Sequence, residues 1–378
     1  MAQIWFFDGF DVPYFKPGAG VLSGPSNNLN PKWTKRISTS IDSNTAFWDN
    51  VVQQGRRTGS KALAQPFCLQ KTLLPTNTPG LAGYIFGFAL KRSHSIASGP
   101  ILSHWDTNFG SGNPKWAIMM RADGKLDVVK GGTWSDTSGL SGYTVLGTTT
   151  TALQLNNWAY IEVSVTTAQL RLYINGNLQV TAGFTPEISL SGVLVLFHTY
   201  IHRDAGNNPI AVYPVDDFYA LYFSSSENPD QVRLGDVAVW TKQPSSAPIV
   251  EWSATTAGPV NSVNEGYFAN PTQDNEYVWS GENGKRIVWR ADFPETEIQN
   301  VVAVQVTGYG KTEGGFNPAY LKAQFVYGTA ITELAPELNS DATSKEYGIR
   351  ALITQKPGGG NFQPTDLDSL GTGVVIRA

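Results

Sequence analysis

Acidic side chains two residues apart on a β-strand could hydrolyse a glycosidic bond. Alternate residues of a strand share one face, so two carboxylates can flank the bond. The nearest approach to such a pair in this sequence is Glu295-Thr-Glu297. It follows Pro294 in a polar segment, which is typical of a solvated turn. No run of the form E-x-D-x-E occurs, so the sequence predicts no catalytic residues and a protein that is not an enzyme.

Metal chemistry would need clustered histidine or cysteine side chains. His198 and His202 have the spacing of two ligands on one helix face. Residues 193–200 are apolar and strand-like, however, and in a strand the two side chains would lie about 13 Å apart, too far for one ion. Cys68, the single cysteine, is flanked by Phe67 and Leu69, which favours a buried, inert thiol. No metal site and no Ser-His-Asp pattern or Walker loop is predicted.

One loop has some of the residues that bind calcium. Residues 106–113 (Asp-Thr-Asn-Phe-Gly-Ser-Gly-Asn) supply several oxygen ligands. An EF-hand requires glycine at the sixth position and a bidentate glutamate at the twelfth, and this loop has neither. Irregular Asp/Asn loops also hold calcium in lectin-like β-sandwiches, so calcium binding stays open beside the alternative of a plain turn. No other cofactor is predicted.

Tryptophans beside polar loops are the candidates for a binding site. A tryptophan face stacks on the apolar side of a pyranose, while Asp and Asn side chains select hydroxyl groups by hydrogen bonding. The predicted glycan-binding residues are Trp105, Asp106, Asn108, Trp116 and Trp134. The alternative for each tryptophan is core packing, because tryptophans in β-sandwiches are mostly buried.

Composition excludes several classes of function. Only 15% of the 378 residues are charged and the formal net charge is −4. Lys and Arg are scattered along the chain, so no basic stripe for nucleic acid is predicted. No apolar run approaches the ~20 residues of a membrane span. The first residues read as a strand and not as a signal peptide, from which we expect synthesis in a cytoplasm.

The spacing of apolar residues predicts an all-β protein. Residues 158–181 read as three consecutive strands, the last two joined by Asn175-Gly176, a two-residue hairpin turn. Asp123-Gly124 is a second hairpin signal. A Pro/Ser-rich linker at 243–248 separates a β domain over 1–242 from a smaller β-sandwich over 249–378. Gly235–Trp240 is predicted to be the last strand of the first domain.

Two sets of phrases in the sequence resemble known families. The run from Trp158 to Gly176 resembles the W-x-x-I-E-V…L-x-L-Y-I-N-G phrase of concanavalin/laminin-G-like jelly rolls. Over most of the chain, the order of short phrases resembles tailed-bacteriophage virion proteins that join a lectin-like sandwich to a small C-terminal β domain. The phrases are Phe7–Asp11, Val215–Tyr219, Leu234–Val239, Ala303–Val306, Gly310–Gly314 and Leu367–Val375.

The second resemblance implies a non-enzymatic structural protein on a phage virion, as part of a tail, a fibre or a capsid decoration, synthesised in a bacterial host cytoplasm. It also implies other virion proteins as partners, a homo-oligomer with a trimer favoured, and contact with a host surface glycan. The alternatives are a soluble, lectin-like carbohydrate-binding module and, third, a glycan-active enzyme.

Overall fold

The computed structural model describes two compact units, one with the described residues up to Val239 and one with those from Trp240 onward. No helix in the described part of the chain is long and apolar enough to cross a membrane. The described residues are 2–9, 35–37, 52–57, 60–63, 68–74, 78–95, 99–106, 113–135, 139–196, 213–254, 258–260, 278–311, 317, 320–341 and 346–377.

The described residues of the first unit form strands β1–β17 and one short helix, α1 (Pro229–Val232). The strands are β1 (Gln3–Asp8), β2 (Lys35–Ile37), β3 (Val52–Gln54), β4 (Lys61–Leu63), β5 (Cys68–Thr72), β6 (Gly83–Lys91), β7 (Gly99–Trp105), β8 (Pro114–Met120), β9 (Leu126–Lys130), β10 (Thr133–Ser135), β11 (Gly139–Ser141), β12 (Thr144–Thr148), β13 (Trp158–Thr166), β14 (Gln169–Ile174), β15 (Asn177–Gly183), β16 (Val193–Leu196) and β17 (Val215–Phe223).

Two antiparallel sheets form the sandwich of the first unit. The eight-stranded sheet has the order β15-β14-β13-β6-β17-β4-β3, with β1 also paired to β17. The seven-stranded sheet has the order β12-β9-β8-β7-β16-β5-β2, and β10 and β11 form a separate hairpin. The predicted turn is present, since Asn175 and Gly176 have φ of 48° and 79°. The all-β prediction, a jelly-roll sandwich followed by a smaller β-sandwich, is confirmed.

Both faces of the central strands of the eight-stranded sheet are buried. Along β6 every residue except Lys91 is buried. One face carries aromatic side chains that stack within the sandwich, with ring centroids 5.3 Å apart for Phe6 and Phe218 and 6.3 Å apart for Phe88 and Phe218. The opposite face, called here the outer face of this sheet, is covered by the chain that follows β17.

The second unit is a smaller β-sandwich with a core around Phe325, Ile353 and Phe362. Its five-stranded sheet has the order β18-β21-β27-β23-β24, a three-stranded sheet has the order β22-β26-β25, and β19 pairs with β20. The strands are β18 (Ser246–Val250), β19 (Ser253–Ala254), β20 (Val278–Trp279), β21 (Arg286–Arg290), β22 (Val304–Lys311), β23 (Leu321–Tyr327), β24 (Ala330–Leu334), β25 (Glu337–Asp341), β26 (Glu346–Ile353) and β27 (Leu370–Ile376), with 3₁₀ turns at Glu295–Glu297 and Pro364–Asp366.

Two predicted boundaries differ from the structure. β18 begins at Ser246, inside the predicted linker 243–248, and pairs with β21. Pro248 fits there because β18 is an edge strand with an irregularity between Ser246 and Ile249, where a missing N–H breaks no ladder. Residues 235–240 form no strand. The amides of Gly235 and Val239 donate to the side chains of Glu162 and Asp217, and not to a neighbouring strand.

Candidate functional site

Two of the predicted glycan-binding residues lie inside the first unit. The side chains of Trp105 and Trp116 are each 1% exposed. Trp105 Nε1 donates to Ser103 Oγ at 2.8 Å, and Trp116 packs beside His104. A sugar cannot stack on a ring without an exposed face, so the prediction for Trp105 and Trp116 is corrected: both are packing residues.

Trp134 occupies a different position, on the face of the seven-stranded sheet that carries Trp105, Val193 and Val195, called here the outer face of that sheet. It belongs to the hairpin β10–β11, where it pairs with Leu140. Its ring packs on Trp105, Val193 and Val195 and also on a second cluster of Ala117, Met119, Val129 and Leu140. The side chain is only half-buried. Trp134 therefore packs on apolar side chains of this face, while the residue stays partly accessible to solvent.

Two exposed charged residues, Asp106 and Lys115, lie where β7 ends and β8 begins. Asp106 directly follows Trp105, and it forms an ion pair with Lys115 at the start of β8. The two side chains are 47% and 40% exposed. Because both groups reach water, this pair is weak and its atoms can bind other polar partners. Asn108 lies outside the described residues.

The described residues contain no group of three or more His, Cys, Asp or Glu side chains that could hold a metal ion. In the candidate calcium loop only Asp106 and Asn113 are described, and His198 and His202 lie outside the described residues. Calcium binding stays a prediction. His104 is described, and burial lowers its pKa to about 4. Its Nε2 lies 2.9 Å from the Ser191 carbonyl oxygen, which fits a neutral, structural histidine.

A second polar cluster lies on the outer face of the eight-stranded sheet. Glu162 of β13 is 1% exposed and forms an ion pair with Arg233. Its Oε1 accepts hydrogen bonds from Tyr219 Oη at 2.6 Å and from the Gly235 amide at 3.0 Å. The Arg233 guanidinium also lies over the Tyr173 ring, 3.8 Å from its centroid. A buried carboxylate thus has a cation and two hydrogen-bond donors.

Asp216 and Asp217 continue this cluster on β17, and both are fully buried. Asp217 accepts hydrogen bonds from Arg57 Nη1 at 2.8 Å and from the Val239 amide at 2.7 Å, and it forms an ion pair with Arg56. The register of β17 against β6 shifts between Asp216 and Tyr219. Asp217 adopts φ of 52°, a region that Asp tolerates better than most residues. This bulge lets two adjacent acidic side chains be buried together.

Burial and the Asp217 charge together raise the pKa of Asp216 to about 7. The amides of Arg56 and Asp217, each 2.8 Å from a carboxyl oxygen, and the charge of Arg57 partly lower this pKa again. The Ser60 hydroxyl also lies 3.3 Å from Asp216 Oδ2. Perturbed carboxylates often mark active sites, but structural ion-pair networks produce them too. Here the carboxylates of Glu162 and Asp217 form ion pairs with arginines and accept hydrogen bonds from backbone amides. The cluster therefore holds chain segments together.

Sequence reasoning missed this second cluster, although the sequence carries one signal for it. Glu162 interrupts an otherwise apolar strand, and Asp216-Asp217 stands inside the apolar run of β17. Charged residues are almost never fully buried unless they are paired. Such interruptions therefore predict partners elsewhere in the chain, without saying which arginines supply them.

The sequence matches no protein-family model, and it has no significant match to a curated protein. Solved structures are similar in fold. Domain 4 of AbnA, a GH43 extracellular arabinanase from Geobacillus stearothermophilus in complex with arabinotriose, has 13% identity and a TM-score of 0.38, with 59% of this chain and 94% of that chain covered. A mutant Trypanosoma rangeli sialidase displaying trans-sialidase activity has 8% identity and a TM-score of 0.31, with 46% and 26% covered. This chain thus spans about a quarter of that sialidase.

These neighbours are carbohydrate-binding or carbohydrate-active proteins, and none of them is described as a phage virion protein. They contradict the sequence-based prediction that the chain is not an enzyme, because sialidases and a domain of an arabinanase are among them. That prediction is corrected, and enzymatic activity is no longer excluded. Because the TM-scores are below 0.5, the similarity to these structures does not assign a reaction to this chain.

Proposed function

We propose that the first unit binds a glycan on the outer face of its seven-stranded sheet, with Trp134 as the ring on which a sugar stacks. One observation carries the proposal: Trp134 is a half-buried tryptophan held by two apolar clusters of that face. Packing fixes the ring before a ligand arrives, so little side-chain entropy is lost on binding. The open part of the ring supplies an apolar surface for one sugar face.

Asp106 and Lys115 provide the polar contacts of this proposal. They lie next to Trp105, on which Trp134 packs. A carboxylate accepts hydrogen bonds and an ammonium donates them, so the pair can satisfy neighbouring hydroxyl groups of one sugar. In this account Trp105 is a positioning residue, since its buried ring supports Trp134 and does not reach the ligand.

Substituting Trp134 with alanine is expected to weaken glycan binding at least tenfold, equivalent to about 1.4 kcal/mol. The loss of the stacking surface is the reason. The measurement begins with wild-type protein on an array of plant, bacterial and sialylated glycans. Titration calorimetry with the best-binding oligosaccharide then compares wild type and Trp134→Ala, with circular dichroism as the check on folding.

Trp279→Ala is the matched control, because Trp279 is a 47%-exposed tryptophan of the second unit. It is expected to leave the affinity unchanged. No binding by the folded wild type, or equal affinity of wild type and Trp134→Ala, would refute the proposed site. Release of reducing ends in the same mixtures shows whether a bound glycan is also cleaved.

The proposed location of the protein is the surface of a phage particle, in a tail, a fibre or a capsid decoration. The chain forms a homo-oligomer there. Its support is the order of short sequence phrases that resembles phage virion proteins. Mass spectrometry of purified particles is expected to find peptides of this chain, and light scattering to give a multiple of 41.0 kDa. Absence of such peptides from the particles would refute the proposed location. It would not affect the proposal that Trp134 binds a glycan, which the titration tests separately.

A further inference from the structure

The segment that leads from the first unit toward the second has an unusual mode of attachment. This segment, residues 233–239, is called the strap. It forms no strand, and three of its amides donate to side chains of the eight-stranded sheet. Leu234 donates to Tyr219 Oη at 3.3 Å, Gly235 to Glu162 Oε1 at 3.0 Å and Val239 to Asp217 Oδ1 at 2.7 Å.

Two carbonyl groups of the strap are held by side chains as well. Arg56 Nη2 donates to the Val237 carbonyl oxygen and Arg57 Nη2 to that of Val239, both at 2.6 Å. Both arginines follow β3. Leu234 and Val237 pack on the apolar cluster of the outer face, which includes Tyr219. The strap is thus fixed at both ends, by contacts made with side chains.

The sheet beneath the strap does not depend on it for backbone pairing. β6 pairs with β13 on one side and with β17 on the other, and these ladders contain no strap residue. Opening the strap therefore breaks side-chain contacts and exposes apolar surface, but it leaves every ladder of the sheet intact. Segments of this kind open at a lower free energy than the strands they cover.

We propose that the strap is a releasable tether, which opens as a unit of its own while the sandwich stays folded. Seven residues are freed on opening, and they add roughly 23–25 Å of extended chain to the connection that leads to the second unit. When the strap closes, the amides of Gly235 and Val239 again donate to Glu162 and Asp217. These two buried carboxylates therefore hold the strap in its closed position. The proposal that the strap opens does not depend on the proposed glycan site, which lies on the other sheet.

Hydrogen exchange of the full-length protein tests the tether, with amide NMR as the readout. The amides of Leu234, Gly235 and Val239 are expected to exchange through a local opening that depends little on urea. Amides of β6 and β13 are expected to exchange through global unfolding, which depends strongly on urea. Equal opening free energies and equal urea dependences for the strap and the strands would overturn the proposal.

Gly235→Ala gives a perturbation confined to the strap. Gly235 has φ of +73°, and a Cβ there would meet no atom within 4 Å, so alanine introduces backbone strain without a clash. The strap amides are expected to exchange about 5- to 30-fold faster. The amides of β6 and β13 are expected to exchange faster by a similar factor, because the strain raises the free energy of the closed native state from which global unfolding also starts. Gly142→Ala is the control, with φ of +66° and open space. Strap amides that are unaffected by Gly235→Ala, or equally accelerated by Gly142→Ala, would refute a strap that opens alone.

Discussion

Replacing Arg233 with methionine is expected to lower the free energy of unfolding by about 3–5 kcal/mol, the cost of removing one partner of a buried ion pair. Glu162 would keep its hydrogen bonds from Tyr219 and Gly235 but lose its cation while 1% exposed. Methionine has a similar length and no charge, so packing beside Tyr173 is largely retained. Urea unfolding of the full-length chain, followed by tryptophan fluorescence, measures the change.

Arg171→Met is the matched control for that experiment. Arg171 also forms an ion pair, with Asp230, but the two side chains are 25% and 43% exposed. Pairs of this kind contribute about 0–1 kcal/mol, so a small change is expected. If Arg233→Met destabilises the protein no more than Arg171→Met does, the Glu162–Arg233 pair does not hold the strap on the sheet.

Stability is expected to fall as pH rises from about 4 to about 7, because of Asp216. Burial and the neighbouring Asp217 raise its pKa from 3.8 to about 7. The folded state therefore binds the Asp216 proton more tightly than the unfolded state does. The resulting stabilisation is complete below pH 3.8 and is lost as pH rises through 7. A shift of this size corresponds to at most about 4 kcal/mol.

Asp216→Asn is expected to flatten this part of the stability profile, since asparagine does not titrate. The slope is the diagnostic quantity, because the amide also changes the hydrogen bonds from Arg56 and Ser60. Asp123→Asn serves as control. Hydrogen bonding to the Lys125 amide lowers the pKa of Asp123, so its titration lies below this window. A slope between pH 4 and 7 that is the same in wild type and Asp216→Asn would rule out the raised pKa of Asp216.

Local signals were sufficient for most of the strands and turns. The alternation in residues 158–181 predicts β13–β15, because apolar residues at every second position can line one buried face of a sheet. Asn175-Gly176 predicts their hairpin turn, because both residues tolerate positive φ. These features are encoded within a few neighbouring residues. The class of the fold therefore follows from the sequence.

The site depends on contacts between residues far apart in the chain, and these are not visible locally. Trp105, Trp116 and Trp134 look alike in sequence, each beside polar residues. Only the sheets determine that the first two are covered and that Trp134 stays half-open. Residues 235–240 have the composition of a strand, yet side chains from β13 and β17 take the place of a neighbouring strand.

Glycan binding at Trp134 is tested most directly by following its indole N–H resonance during titration with the best-binding oligosaccharide. Trp134→Phe assigns the resonance by its disappearance, and the indole of Trp279 is the internal reference. A ligand stacked on the outer face of the seven-stranded sheet shifts the Trp134 resonance in step with the binding isotherm and leaves that of Trp279 in place. A saturating glycan that leaves the Trp134 resonance unmoved would contradict binding at this face.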